Sequence, residues 1–326
     1  MAEPESERVP VTVVTGFLGA GKTTLVNRWL ADVARGEVAV IVNEHGTVGI
    51  DGELLAARVR TLVEITGGCV CCKTQGELVR ALHDLSSRAP RPKRILVETS
   101  GAASPAGVVR AIASGGGTDA FTLDGVVTVL DAAHLEVLTT DDLAVEQLGY
   151  ADVVVLSRAD TCSRDALVRA QDRVAAHNGA AAITSAARGE MRGASTLDAL
   201  LALRHADFVQ NTPAAATHHH AYESVSLTLD GDVDGERFAD FVETEVARFA
   251  GRLLRTKGIL GVAGVEERMI VQGVADLVEI TFGEPWGDAK RTSRVAIVGF
   301  GLDRAALERA FAACAASAST VATGTH

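Results

Sequence analysis

The chain has 326 residues, 47% hydrophobic and 22% charged, the balance of a folded protein with room for two domains, each with its own core. A formal net charge of -11, with no local basic patch, excludes a broad phosphate-backbone footprint and with it a nucleic-acid partner. No apolar run approaches the roughly 18 residues of a membrane span, and the acidic, polar residues 1–8 lack the basic start of a secretory leader, so a cytoplasmic protein with no membrane partner is expected.

Strands are predicted over residues 10–15, 37–42, 58–65, 94–98, 125–130, 152–156 and 182–184, with helices over 23–34, 76–87, 104–113, 142–148 and 163–177. Several strands are unbroken apolar runs, such as Val38-Ala39-Val40-Ile41-Val42 and Val153-Val154-Val155-Leu156, the pattern of strands covered on both faces. Strand and helix in alternation predict an α/β domain built on a mainly parallel sheet, assigned to residues 1–205. Residues 206–220, rich in Ala, Thr and Asn and ending in His218-His219-His220, read as a linker. Residues 221–326 read as a smaller α+β domain: a strand over 222–229, a helix over 235–250, strands over 252–259, 268–272, 278–281 and 294–300, and a last helix capped by Asp303.

The first strand runs into Gly16-Phe17-Leu18-Gly19-Ala20-Gly21-Lys22-Thr23, which fits G-x-x-x-x-G-K-[ST] at every defined position, and the helical pattern over 23–34 follows. The glycines let backbone N–H groups turn inward around phosphates, and the helix adds its positive N-terminus. Gly16, Gly19, Ala20, Gly21, Lys22, Thr23 and Thr24 are therefore candidate nucleotide-binding residues, with Lys22 reaching the β- and γ-phosphates and the Thr23 hydroxyl binding Mg²⁺. A chance glycine-rich turn would not be expected between a strand and a helix.

Downstream, Gly67-Gly68-Cys69-Val70-Cys71-Cys72 places three of the five cysteines within four residues. Neighbours this close do not readily cross-link, and an odd count in a reducing compartment argues against a disulfide framework. Thiolates of Cys69, Cys71 and Cys72 can instead converge on Zn²⁺ or Co²⁺, the other readings being a redox pair or inert thiols. Cys162 and Cys314 stand alone and read as small, partly buried residues. The strand Ile95-Leu96-Val97 then ends in Glu98-Thr99-Ser100-Gly101, where a P-loop protein holds Mg²⁺ through a carboxylate and senses the γ-phosphate with the glycine. After the 152–156 strand, Ser157-Arg158-Ala159-Asp160 stands in the place of the N/T-K-x-D guanine-reading segment. Asp160 can accept from the guanine N1–H and exocyclic amine, while Arg158 replaces the usual Lys and Ser157 the usual Asn.

These motifs together, GFLGAGKTT, VNEHG (residues 42–46), GGCVCC, LVETSG and SRAD, resemble the G3E family of P-loop GTPases in its CobW-type metallochaperone branch. The resemblance continues into Lys257-Gly258-Ile259-Leu260 and the 294–300 strand before Gly301-Leu302-Asp303. It implies a GTPase that carries Zn(II), or Co(II), as cargo to a client metalloprotein or cofactor-pathway enzyme, with GTP and GDP as ligands and a homodimer possible. By motif alignment Glu44 is either a fourth metal ligand or a Mg²⁺-side group, and Asp51 is a candidate to orient the attacking water beside the catalytic Lys22 and Glu98. His45 is not expected to be a ligand, and His218-His219-His220 is either a solvated linker or a loading antenna for metal. Two rival readings remain: a P-loop kinase of a small metabolite with a structural zinc, and a metal store whose affinity nucleotide regulates.

Overall fold

The computed structural model describes residues 8–31, 33, 37–44, 62–66, 72–117, 119–135, 140–188, 190–191, 196–202 and 222–316. The chain divides into two compact units, Met1–Tyr222 and Glu223–His326. Residues 206–220, the expected linker, lie outside the described residues, as do His218, His219 and His220.

The first unit runs β1 (Val9–Thr15), α1 (Lys22–Ala31), β2 (Val38–Glu44), β3 (Leu62–Thr66), α2 (Cys72–Ser86), β4 (Arg94–Thr99), α3 (Ala106–Ala113), β5 (Phe121–Asp131), α4 (Asp142–Gly149), β6 (Val153–Ser157), α5 (Arg164–His177), β7 (Ala182–Ala187), β8 (Glu190–Met191) and α6 (Leu197–Ala202). Its sheet has the order β3-β2-β4-β1-β5-β6-β7-β8, parallel throughout except for β8, which pairs antiparallel with β7. The unbroken apolar runs have the predicted cause. Val153 and Val155 of β6 join a core with α1 and α6 through Leu25, Trp29 and Leu200. Val154 and Leu156 face the opposite way, against Leu148 of α4 and Val174 of α5. Each strand residue therefore has a helix to pack on, whichever way it points.

The starts of β5 and α2 each differ by four residues from the expectation. Strand β5 begins at Phe121 rather than 125, because Val9, Pro10 and Val11 pair with Phe121, Thr122 and Leu123 before a bulge shifts the register. Asp124, within the added stretch, meets Arg94 in an ion pair. Helix α2 opens at Cys72, not at 76, so Gly76 is a tolerated interior glycine rather than a start signal. The short α6 and β8 carry too little periodicity to be read from sequence.

The second unit runs β9 (Tyr222–Asp230), β10 (Asp232–Val233), α7 (Gly235–Asp240), β11 (Leu253–Val262), β12 (Glu267–Val274), β13 (Leu277–Pro285), β14 (Thr292–Phe300) and α8 (Arg304–Ala312). Its main sheet has the order β13-β12-β11-β14-β9, with β10 pairing parallel on β11. Phe238, Phe241 and Phe311 cluster over Val271, Ile297 and Val225. Asp303 caps α8 as expected, accepting from Ala306 N at 2.9 Å. The single helix expected over 235–250 changes winding: α7 gives way to a π-helical stretch, Phe241–Val246, and a 3₁₀ turn, Ala247–Phe249. Thr244 Oγ1 donates to Asp240 O at 2.6 Å within that stretch, the back-bonding that loosens α-helical pairing. Cys314 is buried, and burial pushes its thiol pKa up; its Sγ donates to Ala310 O at 3.4 Å, so it behaves as packing material. Among the described residues no helix is long and apolar enough to cross a membrane.

Candidate functional site

The turn between β1 and α1 is held in a shape only glycine allows. Gly16 has φ +134°, and a Cβ there would lie 2.1 Å from the Val129 carbonyl oxygen of β5. Ala20 N donates to Phe17 O at 3.2 Å, closing the turn before Gly21 O accepts the first helical bond from Leu25 N at 3.0 Å. Lys22 folds back over this loop, with Nζ donating to Gly16 O at 2.9 Å and Phe17 O at 3.2 Å. The next residue, Thr23, donates from Oγ1 to Glu98 Oε1 at 2.6 Å, joining the start of α1 to the end of β4. The register Val14↔Glu98 makes that contact a consequence of parallel pairing between β1 and β4.

Beyond Glu98 the chain turns away from β4 against the same loop. A Cβ on Gly101 would lie 2.6 Å from Leu18 N and 2.8 Å from Lys22 Nζ, so nothing larger than hydrogen fits there. A cavity of about 590 Å³ opens over these groups, within the range of small-ligand sites. Gly19, Ala20, Gly21, Lys22, Thr23, Thr24 and Glu98 line one side of it, and Ser157, Arg158, Ala186 and Arg188 the other.

The far wall is cross-tied to the phosphate loop. Ser157 Oγ donates to Ala20 O at 2.7 Å and to Leu130 O at 3.2 Å. Arg158, at φ +53°, spans the gap: Nη1 donates to Asp131 Oδ2 at 2.7 Å and Nη2 to Gly19 O at 2.6 Å. Asp160 does not itself line the cavity; its carboxylate lies 3.7 Å from Arg188 Nε. Asp131 and Arg188 were not legible as site residues. Asp131 ends β5 just as Glu98 comes at the end of β4, and that strand-end carboxylate was the available signal.

The sequence-predicted metal residues are described only in part. Cys69, Cys71, Asp51 and His45 lie outside the described residues, and for Glu44 and Cys72 only the backbone is described. That backbone is informative about edge and order. Glu44 pairs with Thr66, Asn43 with Thr99, and Val42 with Glu98, so β2 ends between the ends of β3 and β4 on the edge that carries the phosphate loop. Cys72 opens the helix that follows β3. Among the described residues no group of three or more His, Cys, Asp or Glu is arranged to hold a metal.

A phosphate-loop turn tied to a strand-end glutamate is shared by many nucleotide hydrolases, and comparison decides among them. The family signature "CobW/HypB/UreG, nucleotide-binding domain" matches residues 10–185. The chain belongs to the CobW/HypB/UreG family. A second signature, the cobW C-terminal domain of cobalamin synthesis proteins, matches residues 222–315. Among curated members, the zinc chaperone YjiA of Escherichia coli is 30% identical over 93% of this chain and 98% of its own length. The zinc chaperone CobW of Pseudomonas aeruginosa is 34% identical over 92% of this chain and 90% of its own. The crystal structure of Zn(II)-bound YjiA GTPase superimposes with a TM-score of 0.68 at 26% identity, covering 95% of this chain and 99% of that one. In this CobW-family chain, residues 10–185 are thus a nucleotide-binding domain, and the α/β architecture with an α+β second unit is that of its relatives.

Proposed function

We propose that this chain is a GTP-hydrolysing metallochaperone that holds Zn(II) at Cys69, Cys71 and Cys72, with Glu44 as fourth ligand, and passes it to a client metalloprotein. The observation that carries the reading is the 2.6 Å contact between Thr23 and Glu98, one strand away from the Glu44 end of β2. The nucleotide's metal side and the cargo residues thereby come from adjacent strand ends, so loops that respond to one have a short route to the other. The relatives' names, zinc chaperone and GTPase, support the same reading and favour zinc over cobalt as cargo.

The Thr23 hydroxyl and the Glu98 carboxylate are hard oxygen donors already in contact, a set that fits Mg²⁺. They would hold it, and when bound it neutralises charge on the phosphate oxygens. Lys22, leaving the Gly16 and Phe17 carbonyls, supplies the cation for the transferring phosphoryl group. Backbone N–H groups of residues 16–24 cradle the phosphates. Asp51 orients the attacking water, and Asp160 reads guanine from the segment whose backbone Ser157 and Arg158 fasten to Ala20 and Gly19. Residues 221–326 supply client recognition or a homodimer surface, and the protein works in the cytoplasm.

The test is nucleotide turnover in the absence of any acceptor substrate, which separates a hydrolase from a kinase. GTP should be hydrolysed in preference to ATP. In Asp160→Asn, where an amide replaces a charged acceptor, affinity should fall about 10–100-fold for GTP and rise for XTP. Equal wild-type affinity for ATP and GTP would contradict the base-reading assignment, and turnover only with an acceptor would favour the kinase.

A further inference from the structure

Gln147 of α4 is fully buried, yet it is a polar side chain aimed at the loop that follows β4. Its Nε2 donates to Ala103 O at 3.2 Å and, more distantly, to Gly101 O at 3.4 Å. The preceding residue, Glu146, accepts from Ser104 Oγ at 2.6 Å. Two consecutive residues of one helix thus hold the loop at both ends.

The helix is itself fixed. Thr128 Oγ1 of β5 donates to the Gln147 carbonyl at 2.8 Å, and Thr128 pairs with Thr15, the residue before the phosphate loop. Asn178 Nδ2 donates to Leu148 O at 2.8 Å and to Ala151 O at 3.0 Å, pinning the helix's far end. The loop it grips has almost no freedom toward the nucleotide, since Gly101 already abuts Leu18 and Lys22. One group is left over: Gln147 Oε1 is buried with no hydrogen-bond partner among the described residues. An acceptor left this way is costly to bury, which marks Gln147 as held for its donor bonds rather than as packing material.

We propose that Gln147 is a positioning residue that couples the γ-phosphate to the 100–104 loop. Its amide holds the Gly101 and Ala103 carbonyls, so that the Gly101 N–H is presented to the γ-phosphate. The inference rests on the GTPase reading above and assigns discrimination between GTP and GDP to a side chain that never touches nucleotide.

Affinities for GDP and for a non-hydrolysable GTP analogue with Mg²⁺, together with GTP turnover, test it in three variants of the full chain. Gln147→Met keeps the volume and removes both bonds. GDP affinity should stay within about twofold of wild type, while analogue affinity and kcat fall about tenfold. Gln147→Glu supplies a donor only when its carboxyl is neutral, so its turnover relative to wild type should recover as pH falls. A packing role would instead leave Gln147→Met, whose volume matches, near wild type for both ligands. Ser104→Ala cuts the loop's other tie and should act in the same direction but less strongly; it and Gln147→Glu carry the test if Gln147→Met does not fold. An unchanged analogue-to-GDP ratio in Gln147→Met, or in Ser104→Ala where the former is lost, would overturn the proposal, as would a pH-independent Gln147→Glu deficit. Failure of the GTPase reading would show in the wild type, as absent turnover, and takes this inference with it.

Discussion

Lys22→Ala should lower GTP turnover by at least about 10²–10³-fold, the usual effect of removing one preorganised charge from a phosphoryl-transfer site. Two effects of the substitution compete. Without nucleotide, Nζ ties the phosphate loop through the Gly16 and Phe17 carbonyls, and losing two hydrogen bonds costs roughly 1–3 kcal/mol of local stability. In the transition state the same cation offsets developing negative charge inside a site where Lys22 is only 8% exposed to solvent. The second effect is larger, so turnover should collapse while the melting temperature moves by a few degrees. Lys22→Arg should not fully rescue, because a planar guanidinium fork does not reproduce the contacts of a compact ammonium with the loop carbonyls. Single-turnover phosphate release with a parallel melting curve is the measurement. Lys22→Ala activity within tenfold of wild type would remove Lys22 from the chemistry.

Replacing Cys71 and Cys72 together with serine should weaken zinc binding by about 10³-fold or more, since a thiolate-rich site is worth ~10–16 kcal/mol and loses two of its four ligands. Basal GDP affinity should change little, because among the described residues the cavity is lined from the loop before α1, from α1 itself and from the ends of β4, β6 and β7. Competition against a chromophoric chelator gives the zinc affinity. Co²⁺ reports thiolate ligation independently through its charge-transfer band, which the double variant should lose. Zinc affinity unchanged in the variant would make the cysteines structural or redox groups and move the cargo site elsewhere.

How much of this was legible from sequence differs between parts of the site for physical reasons. The phosphate loop was readable because its residues are contiguous: Gly16, Gly19 and Gly21 all take positive φ, and Lys22 and Thr23 follow directly at the start of α1. Glu98 was readable as a candidate because a carboxylate at the end of an apolar strand is visible in the sequence, and in the structure Thr23 meets it at 2.6 Å. Asp131 carries the same strand-end signal, but its partner Arg158 lies 27 residues away and had been expected to face the base. Gln147 gave no signal at all. On a helix of eight residues a glutamine reads as solvated, and its burial is created by a loop 44–46 residues earlier. The helix over 235–250 was correctly placed, but its winding depends on one threonine hydroxyl competing for a carbonyl, which no apolar periodicity records.

The central claim is that nucleotide state and metal affinity are coupled, and zinc affinity measured in two nucleotide states tests it most directly. Protein loaded with GDP, or with a non-hydrolysable GTP analogue and Mg²⁺, is titrated against the chromophoric chelator at fixed pH, because thiolate ligation releases protons. The account predicts tighter zinc binding with the analogue by about 1–3 kcal/mol, or roughly 5–150-fold, with the analogue tightened by zinc to the same degree. The Cys71→Ser, Cys72→Ser double variant should lose this effect. Equal zinc affinity in the two states would contradict GTP-gated delivery and leave a nucleotide hydrolase with an uncoupled metal store.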